Sequence, residues 1–205
     1  MSAAPRVFVV DDDASVRKAV SRLLGVHGFP VDSFASAGDF MAHGALPDGP
    51  SCLVLDVRMP ELDGLGLQER IRRADLDVAI VFLTGHGDVP TTVRTMKAGA
   101  VDFLEKPFQA DDLVAAVGRA IAVSERTRAA HTERDHLEAR LGTLTPRERE
   151  VLALVAEGLT NKVIADRLGT TEKTIKVHRG RVMAKMGAPS LAELVRMVEK
   201  LGLRA

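Results

Sequence analysis

The chain has 205 residues, of which 46% are hydrophobic but only 3% aromatic, so its core must be built from aliphatic side chains. A single cysteine, Cys52, excludes an intramolecular disulfide framework and a cysteine-rich metal site. The sequence has no signal peptide and no apolar run near the roughly 18 residues of a membrane span, which predicts a cytoplasmic protein without a membrane partner.

Formal charge divides the chain into three segments although the total is zero. Residues 1–122 carry 12 basic and 17 acidic side chains, and residues 142–205 carry 12 basic and 7 acidic ones, while residues 123–141 are balanced. An acidic segment followed by a basic one is typical of a cation site joined to a module that binds a polyanion. We therefore expect two domains, 1–122 and 142–205, with a linker at 123–141.

Short apolar runs in the first segment alternate with amphipathic stretches. The runs predict β-strands at 6–10, 31–34, 52–56, 78–84 and 100–104, and the amphipathic stretches predict helices near 14–26, 36–43, 64–73 and 90–98, with a fifth starting near Ala110. Three of the five strands are nearly all apolar, as expected for a parallel sheet buried on both faces. The pattern predicts a doubly wound (βα)5 domain.

The linker, SERTRAAHTERDHLEAR, is charged, lacks Gly and Pro and is rich in helix formers. This composition favours a helix that continues the fifth helix of the first domain. A flexible tether is the alternative.

From Leu144 onward the pattern is helical only and predicts four helices. The string TPREREV predicts a capping box in which Thr145 is the N-cap and Glu148 the third helical residue. The other expected boundaries are the N-caps Thr171 and Ser190 and the terminating glycines Gly158, Gly169 and Gly187.

Polar side chains follow the predicted strands of the first domain where each strand ends. Asp11 and Asp12 follow the first strand, Asp56 the third, Thr84 the fourth and Lys106 the fifth. The carboxyl ends of parallel strands meet at one edge of a sheet, so these groups are expected to converge. Crowded carboxylates require a cation, and Mg²⁺ suits an incomplete cage of oxygen ligands. One carboxylate then remains to attack a phosphoryl group, with a Lys and a hydroxyl holding its oxygens.

The motifs VVDDD, LDVRMPELDGL, FLTGHGD and FLEKPF, in this order, resemble the receiver domains of two-component response regulators, and TGHGDVPTTVRTMKAGAVDFLEKPF is similar to the FixJ branch. The resemblance implies a flavodoxin-like fold and makes Asp56 the phosphoacceptor. It implies that Mg²⁺ is held by Asp11, Asp12, Asp56 and the backbone carbonyl of Arg58, and that Thr84 and Lys106 bind the phosphoryl group. It also implies a cis Lys106–Pro107 bond and an aromatic switch at Phe103, for which an ordinary core position is the alternative.

The string GLTNKVIADRLGTTEKTIKVHRGRVMAKMG has the spacing of a helix-turn-helix whose second helix, starting after Thr171, enters the major groove. Ile175, Val182, Met183 and Met186 form the apolar stripe of that helix, which we interpret as core. Gly180 leaves the opposite face without a side chain, so DNA shape is expected to contribute to recognition.

The C-terminal segment, LTPREREVLALVAEGLTNKVIADRLGTTEKTIKVHRGRVMAKM, resembles the LuxR-type domain of the NarL/FixJ family. The resemblance implies base contacts by Lys176 and Val177. The residues expected to contact phosphates are Lys162, Thr174, Arg179 and Lys185. His178 either contacts the DNA backbone or packs within the domain.

Together these features predict a two-component response regulator rather than an enzyme, its only chemistry being its own phosphotransfer and dephosphorylation. A sensor histidine kinase would phosphorylate Asp56. The receiver would then dimerise through its fourth helix, fifth strand and fifth helix, roughly residues 88–119, and the protein would bind promoter DNA. RNA polymerase is the expected further partner, and activation the expected outcome.

Two other functions fit parts of the sequence. A Mg²⁺-dependent phosphatase would also use an aspartyl nucleophile, but Arg58 stands two positions after Asp56, where such an enzyme needs a general acid. In a regulator controlled by partner binding, the acidic pocket would have no function. The presence of the full set of pocket residues argues against this alternative.

Overall fold

The computed structural model describes residues 4–44, 46–85, 93 and 95–203. The chain forms two compact units, Met1–Ala129 and Ala130–Ala205. Among the helices that the structure describes, none combines the length and the hydropathy required to cross a bilayer.

The first unit contains a parallel sheet with the strand order β2-β1-β3-β4-β5. Its five strands in the described chain are β1 (Arg6–Val10), β2 (Val31–Phe34), β3 (Ser51–Asp56), β4 (Ala79–Thr84) and β5 (Asp102–Glu105). Every residue of β3 and β4 is buried, which explains why these strands are almost entirely apolar. The predicted parallel five-stranded sheet is confirmed.

Helices cover both faces of this sheet. They are α1 (Ala14–Val26), α2 (Ala37–Ala42), α3 (Gly64–Arg73) and α4 (Ala110–Gly142). Alternate side chains of the strands point to opposite faces, so Val7 and Val54 pack with α1 and α4, whereas Phe8 and Leu55 pack with α2 and α3. The doubly wound arrangement is therefore confirmed.

The fifth strand starts later than the sequence indicates. Gly99 adopts a positive φ of 96°, and the amide of Ala100 donates to the carbonyl of Thr95, 3.1 Å away. Because Ala100 closes the preceding turn, the strand begins only at Asp102. The predicted helix near 90–98 lies partly outside the described residues; Val93 and residues 95–97 are helical.

In the described part of the chain, four helices follow α4 and supply most of the core of the second unit. They are α5 (Pro146–Ala156), α6 (Asn161–Arg167), α7 (Glu172–Met186) and α8 (Leu191–Lys200). The capping box of Thr145 and Glu148 is present, and Thr171 and Ser190 are N-caps. Gly187 ends α7 in the left-handed conformation, which glycine adopts without strain. The predicted four-helix architecture is confirmed.

The predicted linker, 123–141, lies within α4 and is helical, so the flexible alternative does not describe it. The division between the two units falls inside the same stretch, after Ala129. Leu137 is buried in the core of the second unit, and the last turns of α4 therefore belong to that unit.

Candidate functional site

The ends of three strands bring two carboxylates and one ammonium together. Asp11 follows β1, Asp56 ends β3 and Lys106 follows β5. The Lys106 Nζ lies 2.6 Å from Asp11 Oδ2 and 2.7 Å from Asp56 Oδ1. Three of the groups expected to converge are thus in direct contact in the folded protein.

The charges in this pocket are strongly coupled. Burial of the Asp56 carboxyl raises its pKa, and the negative charge of Asp11 adds to that rise, while the hydrogen bond from Lys106 opposes it. Burial of Lys106 lowers its pKa, but the hydrogen bonds to Asp11 and Asp56 together with the negative charges of these carboxylates outweigh burial, and the pKa is raised. The ammonium therefore compensates two carboxylates that would otherwise repel each other.

Backbone amides fix the remaining carboxylate oxygens. The amide of Asp13 donates to Asp11 Oδ1 at 2.9 Å, and the amide of Arg58 donates to Asp56 Oδ2 at 3.0 Å. Asp13 is the N-cap of α1, and its pKa is lowered chiefly by the hydrogen bond from the Ser15 amide. Asp13 thus caps the start of α1 with its carboxylate.

The other predicted pocket residues surround this centre. Thr84 is buried at the end of β4, and its carbonyl accepts a hydrogen bond of 2.6 Å from the amide of Lys106. Asp12 and Arg58 are exposed at the rim. Phe103 is half-buried and packs against the core on the α2/α3 face. The Lys106–Pro107 bond is cis, as expected.

Two neighbours of the pocket were not recognised from the sequence. Arg17 on α1 donates from Nη1 to the carbonyl of Asp11, 2.7 Å away. Gly64 starts α3 directly beneath Asp56, and a Cβ at this position would lie 2.4 Å from the Asp56 carbonyl oxygen and 2.9 Å from Phe82 Cε1. In the sequence, the Asp63-Gly64 pair indicates only a turn and a helix start. A close approach between distant segments leaves no local pattern.

The residues present fit a magnesium ion with an incomplete set of protein ligands. Asp11 and Asp56 present carboxylate oxygens within reach of one common cation, and carboxylates are the ligands that Mg²⁺ prefers. Within the described parts of the chain, no three His, Cys, Asp or Glu side chains form a metal-binding group. An ion here would therefore be held by an incomplete set of protein oxygens, with its remaining positions filled by water and phosphate.

The second candidate site is the helix α7. Its apolar stripe is core, since Ile175, Val182 and Met186 are fully buried. Lys176 is exposed on the opposite face, and so is Val177, a hydrophobic side chain with 49% exposure. An exposed valine next to a lysine on a helix-turn-helix is suited to contact the edges and methyl groups of bases.

The expected phosphate-contacting residues differ in what they already bind. Lys162 is exposed, and Thr174 Oγ1 lies 3.0 Å from Thr171 Oγ1 at the start of α7. Arg179 donates from Nη1 to Asn161 Oδ1 at 2.7 Å. The Lys185 ammonium lies 2.6 Å from Glu148 Oε2 and 3.0 Å from the carbonyl of Thr143. His178 is half-buried with its Nδ1 inaccessible to solvent, which favours packing within the domain.

Two family models match this chain. The response regulator receiver domain matches residues 7–118, and the luxR family of bacterial regulatory proteins matches residues 142–198. The fold and the pocket therefore define a two-component response regulator, a regulator of transcription with a receiver domain and a LuxR-type DNA-binding domain.

Several proteins are similar to this chain over nearly its whole length. Nodulation protein W of Bradyrhizobium diazoefficiens is 48% identical over 97% of this chain and 87% of its own length. Transcriptional regulatory protein FixJ of the same organism is 43% identical over 99% of this chain and 98% of its own length. The solved structure of the response regulator StyR covers 97% of this chain and 100% of its own, with 47% identity and a TM-score of 0.81. The chain belongs to the FixJ type of response regulators, which implies a sensor kinase as partner and DNA as the ligand of its second unit.

Proposed function

We propose that a sensor histidine kinase transfers a phosphoryl group to Asp56 and that this modification controls sequence-specific binding of promoter DNA. The observation that carries the proposal is the contact of Asp11 and Asp56 with one ammonium, that of Lys106. Because chromosomal DNA is the ligand, the protein is expected to act in the cytoplasm.

The pocket supplies the groups that phosphoryl transfer requires. Asp56 Oδ2 is held by the Arg58 amide, so the carboxylate keeps a fixed orientation as an Asp56 oxygen attacks phosphorus. Lys106, and the hydroxyl of Thr84 at the adjacent strand end, would then bind the phosphoryl oxygens. Mg²⁺ bound by Asp11, Asp12, Asp56 and the Arg58 carbonyl would neutralise charge on the phosphoryl group.

The response is a population shift between two receiver conformations. Thr84 would follow the new phosphoryl group and Phe103 would turn inward, which favours dimerisation through residues 88–119. Part of that surface lies outside the described residues. Two copies on adjacent half-sites would bind DNA more tightly than one small domain, and contact with RNA polymerase would make the protein an activator.

In the second unit, Lys176 and Val177 are proposed to contact bases, and Lys162, Thr174 and Arg179 to contact phosphates. From the sequence, Lys185 is also expected to contact a DNA phosphate. In the structure its ammonium is already hydrogen-bonded to Glu148 and to the carbonyl of Thr143.

Replacing Asp56 with Asn tests the phosphoacceptor. We expect Asp56→Asn to abolish stable phosphorylation by acetyl phosphate and Mg²⁺, because an amide is not a competent nucleophile. Phosphate-affinity electrophoresis measures the modification, and size-exclusion chromatography with and without acetyl phosphate measures dimerisation.

Asp63→Asn is the matched control, because Asp63 is the N-cap of α3 and Asn caps a helix equally well. Undiminished phosphate uptake by Asp56→Asn would refute the assignment. Continued multiple turnover of a small phosphate ester by the wild-type protein would instead favour a phosphatase.

A further inference from the structure

Two reciprocal hydrogen bonds tie the end of α7 to the end of α4. Arg140, in the last turn of α4, donates from Nη1 to the carbonyl of Met186, 2.9 Å away. Lys185, in the last turn of α7, donates from Nζ to the carbonyl of Thr143, 3.0 Å away. Each cation thus binds a carbonyl at the C-terminal end of the other segment, where helical carbonyls lack intrahelical partners.

A buried carboxylate connects the same lysine to α5. Glu148 is almost fully buried, and its Oε2 accepts from Lys185 Nζ at 2.6 Å and from the amide of Thr145 at 2.9 Å. The hydrogen bond from Lys185, the largest cause, lowers the pKa of Glu148 to about 2. One carboxylate therefore completes the capping box of α5 and anchors the end of α7.

Gly187 makes room for Arg140. A Cβ on Gly187 would lie 2.9 Å from Arg140 Nη1 and 3.3 Å from Arg140 Cζ, so the guanidinium packs directly against this glycine. Three residues before Arg140, Leu137 is buried in the core of the second unit, which fixes the helix that carries the arginine. The contact of Arg140 with α7 is thus stabilised both by its hydrogen bond and by the apolar packing of Leu137.

We propose that Arg140, Glu148 and Lys185 form a polar clasp that fixes the orientation of α7 for DNA binding. Arg140 and Lys185 are then positioning residues, and Lys185 acts through Glu148 and Thr143 rather than through a phosphate. The inference rests on the proposed role of α7 as the helix that enters the groove. The clasp holds its C-terminal end, about 15 Å along the axis from Lys176, so a small change in tilt displaces the contacting side chains.

Arg140→Met and Lys185→Met remove the two cations of the clasp. The probe is a duplex that the full-length wild-type protein enriches from a random-sequence library. We expect either substitution to raise Kd about tenfold, equivalent to about 1.4 kcal/mol, because the helix end loses its anchor. Lys185→Arg, which can still bind Glu148, should restore most of the affinity.

Arg134→Met is the matched control on α4, because Arg134 forms an exposed pair with Glu138 and takes no part in the clasp. It removes the same charge and should leave Kd within about twofold. An equal loss of affinity in Arg134→Met would mean that general charge on α4, not the clasp, supports binding.

The salt dependence separates a positioning lysine from a phosphate ligand. Loss of one phosphate contact lowers the slope of log K against log salt by about 0.9, whereas loss of positioning through Glu148 should leave the slope nearly unchanged. A double-mutant cycle adds a second criterion: in a Glu148→Gln background, Lys185→Met should cost clearly less affinity than in the wild-type background, because only the bond to Thr143 and a neutral amide contact remain to be lost. Additive losses with a shallower slope would overturn the proposal.

Amide hydrogen exchange in the free full-length protein tests the clasp without DNA. The amide of Ala188 donates to the carbonyl of Met183, and we expect its exchange to be about tenfold faster in Arg140→Met, but not in Arg134→Met, equivalent to a loss of about 1.4 kcal/mol. If the wild-type protein enriches no duplex, the proposed sequence-specific DNA binding fails, while exchange still decides whether the clasp exists. Unchanged exchange, or faster exchange with unchanged affinity, would refute a positioning role.

Discussion

The two units place their functional polar groups in opposite ways. In the receiver, Lys106 meets Asp56 across 50 residues of sequence and Asp11 across 95, and the two carboxylates are buried. In the second unit, the proposed base-contacting residues Lys176 and Val177 are adjacent in sequence and exposed on one helix. Among the described residues of that unit, Glu148 is the polar residue buried most completely, and it lies in the first turn of a helix.

The difference follows from what each site must do. Phosphoryl transfer requires charges that converge on one atom in a fixed geometry, which parallel strands provide where they end. Contact with a duplex requires side chains that project from a rigid support into a groove. The receiver should therefore be most sensitive to displacement of its backbone, and the second unit to loss of single side chains and of the contacts that hold α7.

The largest effect is expected where backbone passes closest to the pocket. Gly64→Ala places a Cβ within 2.4 Å of the Asp56 carbonyl oxygen, so the end of β3 or the start of α3 must shift. We expect a loss of about 3 kcal/mol from the receiver's free energy of unfolding, together with slower phosphorylation. Calorimetry and the rate of acetyl phosphate uptake measure the two effects.

Gly118→Ala is the control for this prediction. Gly118 lies within α4, and a Cβ there has no heavy atom within 4 Å. The substitution should leave phosphorylation unchanged and slightly increase stability. Normal stability and uptake in Gly64→Ala would show that the receiver tolerates displacement at Asp56 and would contradict the contrast between the units.

Two substitutions on α7 should separate base contact from phosphate contact. Lys176→Ala is expected to cost about 2 kcal/mol of binding free energy on the preferred duplex and to relax sequence preference, because an exposed lysine on this face can reach a base edge. Arg179→Ala should weaken binding to all duplexes and make the salt dependence shallower. Titrations on preferred and scrambled duplexes at several salt concentrations compare them, and identical profiles would refute this assignment.

A smaller effect is expected from Glu148, whose contribution to stability depends on pH. The ordinary pKa of 4.5 is lowered to about 2 in the folded protein, so ionised Glu148 favours folding. Its contribution is complete above about pH 4.5 and is lost as the pH falls towards 2. Glu148→Gln should therefore lower the thermal midpoint of the second unit near neutral pH. The fall of this midpoint between about pH 4.5 and pH 2 should be smaller in the variant than in the wild-type protein.

Glu150→Gln is the control for the acid effect, since Glu150 forms only an exposed pair with Arg147. Calorimetry across the same pH range distinguishes the two variants. The prediction fails if Glu148→Gln retains the full acid-dependent decline of the wild-type protein.

The sequence predicts the receiver's elements closely because its signals are local and mutually consistent. β1 and α1 occur at the predicted residues, since an apolar strand is followed by Asp13, whose carboxylate caps the helix. The convergence of Asp11, Asp56 and Lys106 can also be predicted from the sequence, because parallel strands that end at one edge bring the residues that follow them together.

What the sequence could not reveal are contacts between surfaces that no local pattern encodes. The approach of Gly64 to the Asp56 carbonyl depends on how α3 packs against β3. Similarly, Lys185 resembles other exposed lysines of a basic helix, and only the folded unit brings it to Glu148, 37 residues earlier in the sequence. Charge and spacing thus predict that a residue is polar and accessible, but not which partner it meets.

The smallest expected effect concerns Gly180, on the exposed face of α7. A Cβ there meets no heavy atom within 4 Å, and glycine inside a helix costs about 1 kcal/mol relative to alanine, so Gly180→Ala should stabilise the second unit by about that amount. If recognition near this residue relies on DNA shape rather than on close approach of the helix backbone, Kd should change by less than about twofold, equivalent to about 0.4 kcal/mol. A higher thermal midpoint combined with clearly weaker binding would instead mean that the bare backbone at Gly180 approaches the duplex too closely for a methyl group. This side of α7 would then depend on close packing, as the Gly64 contact in the receiver does.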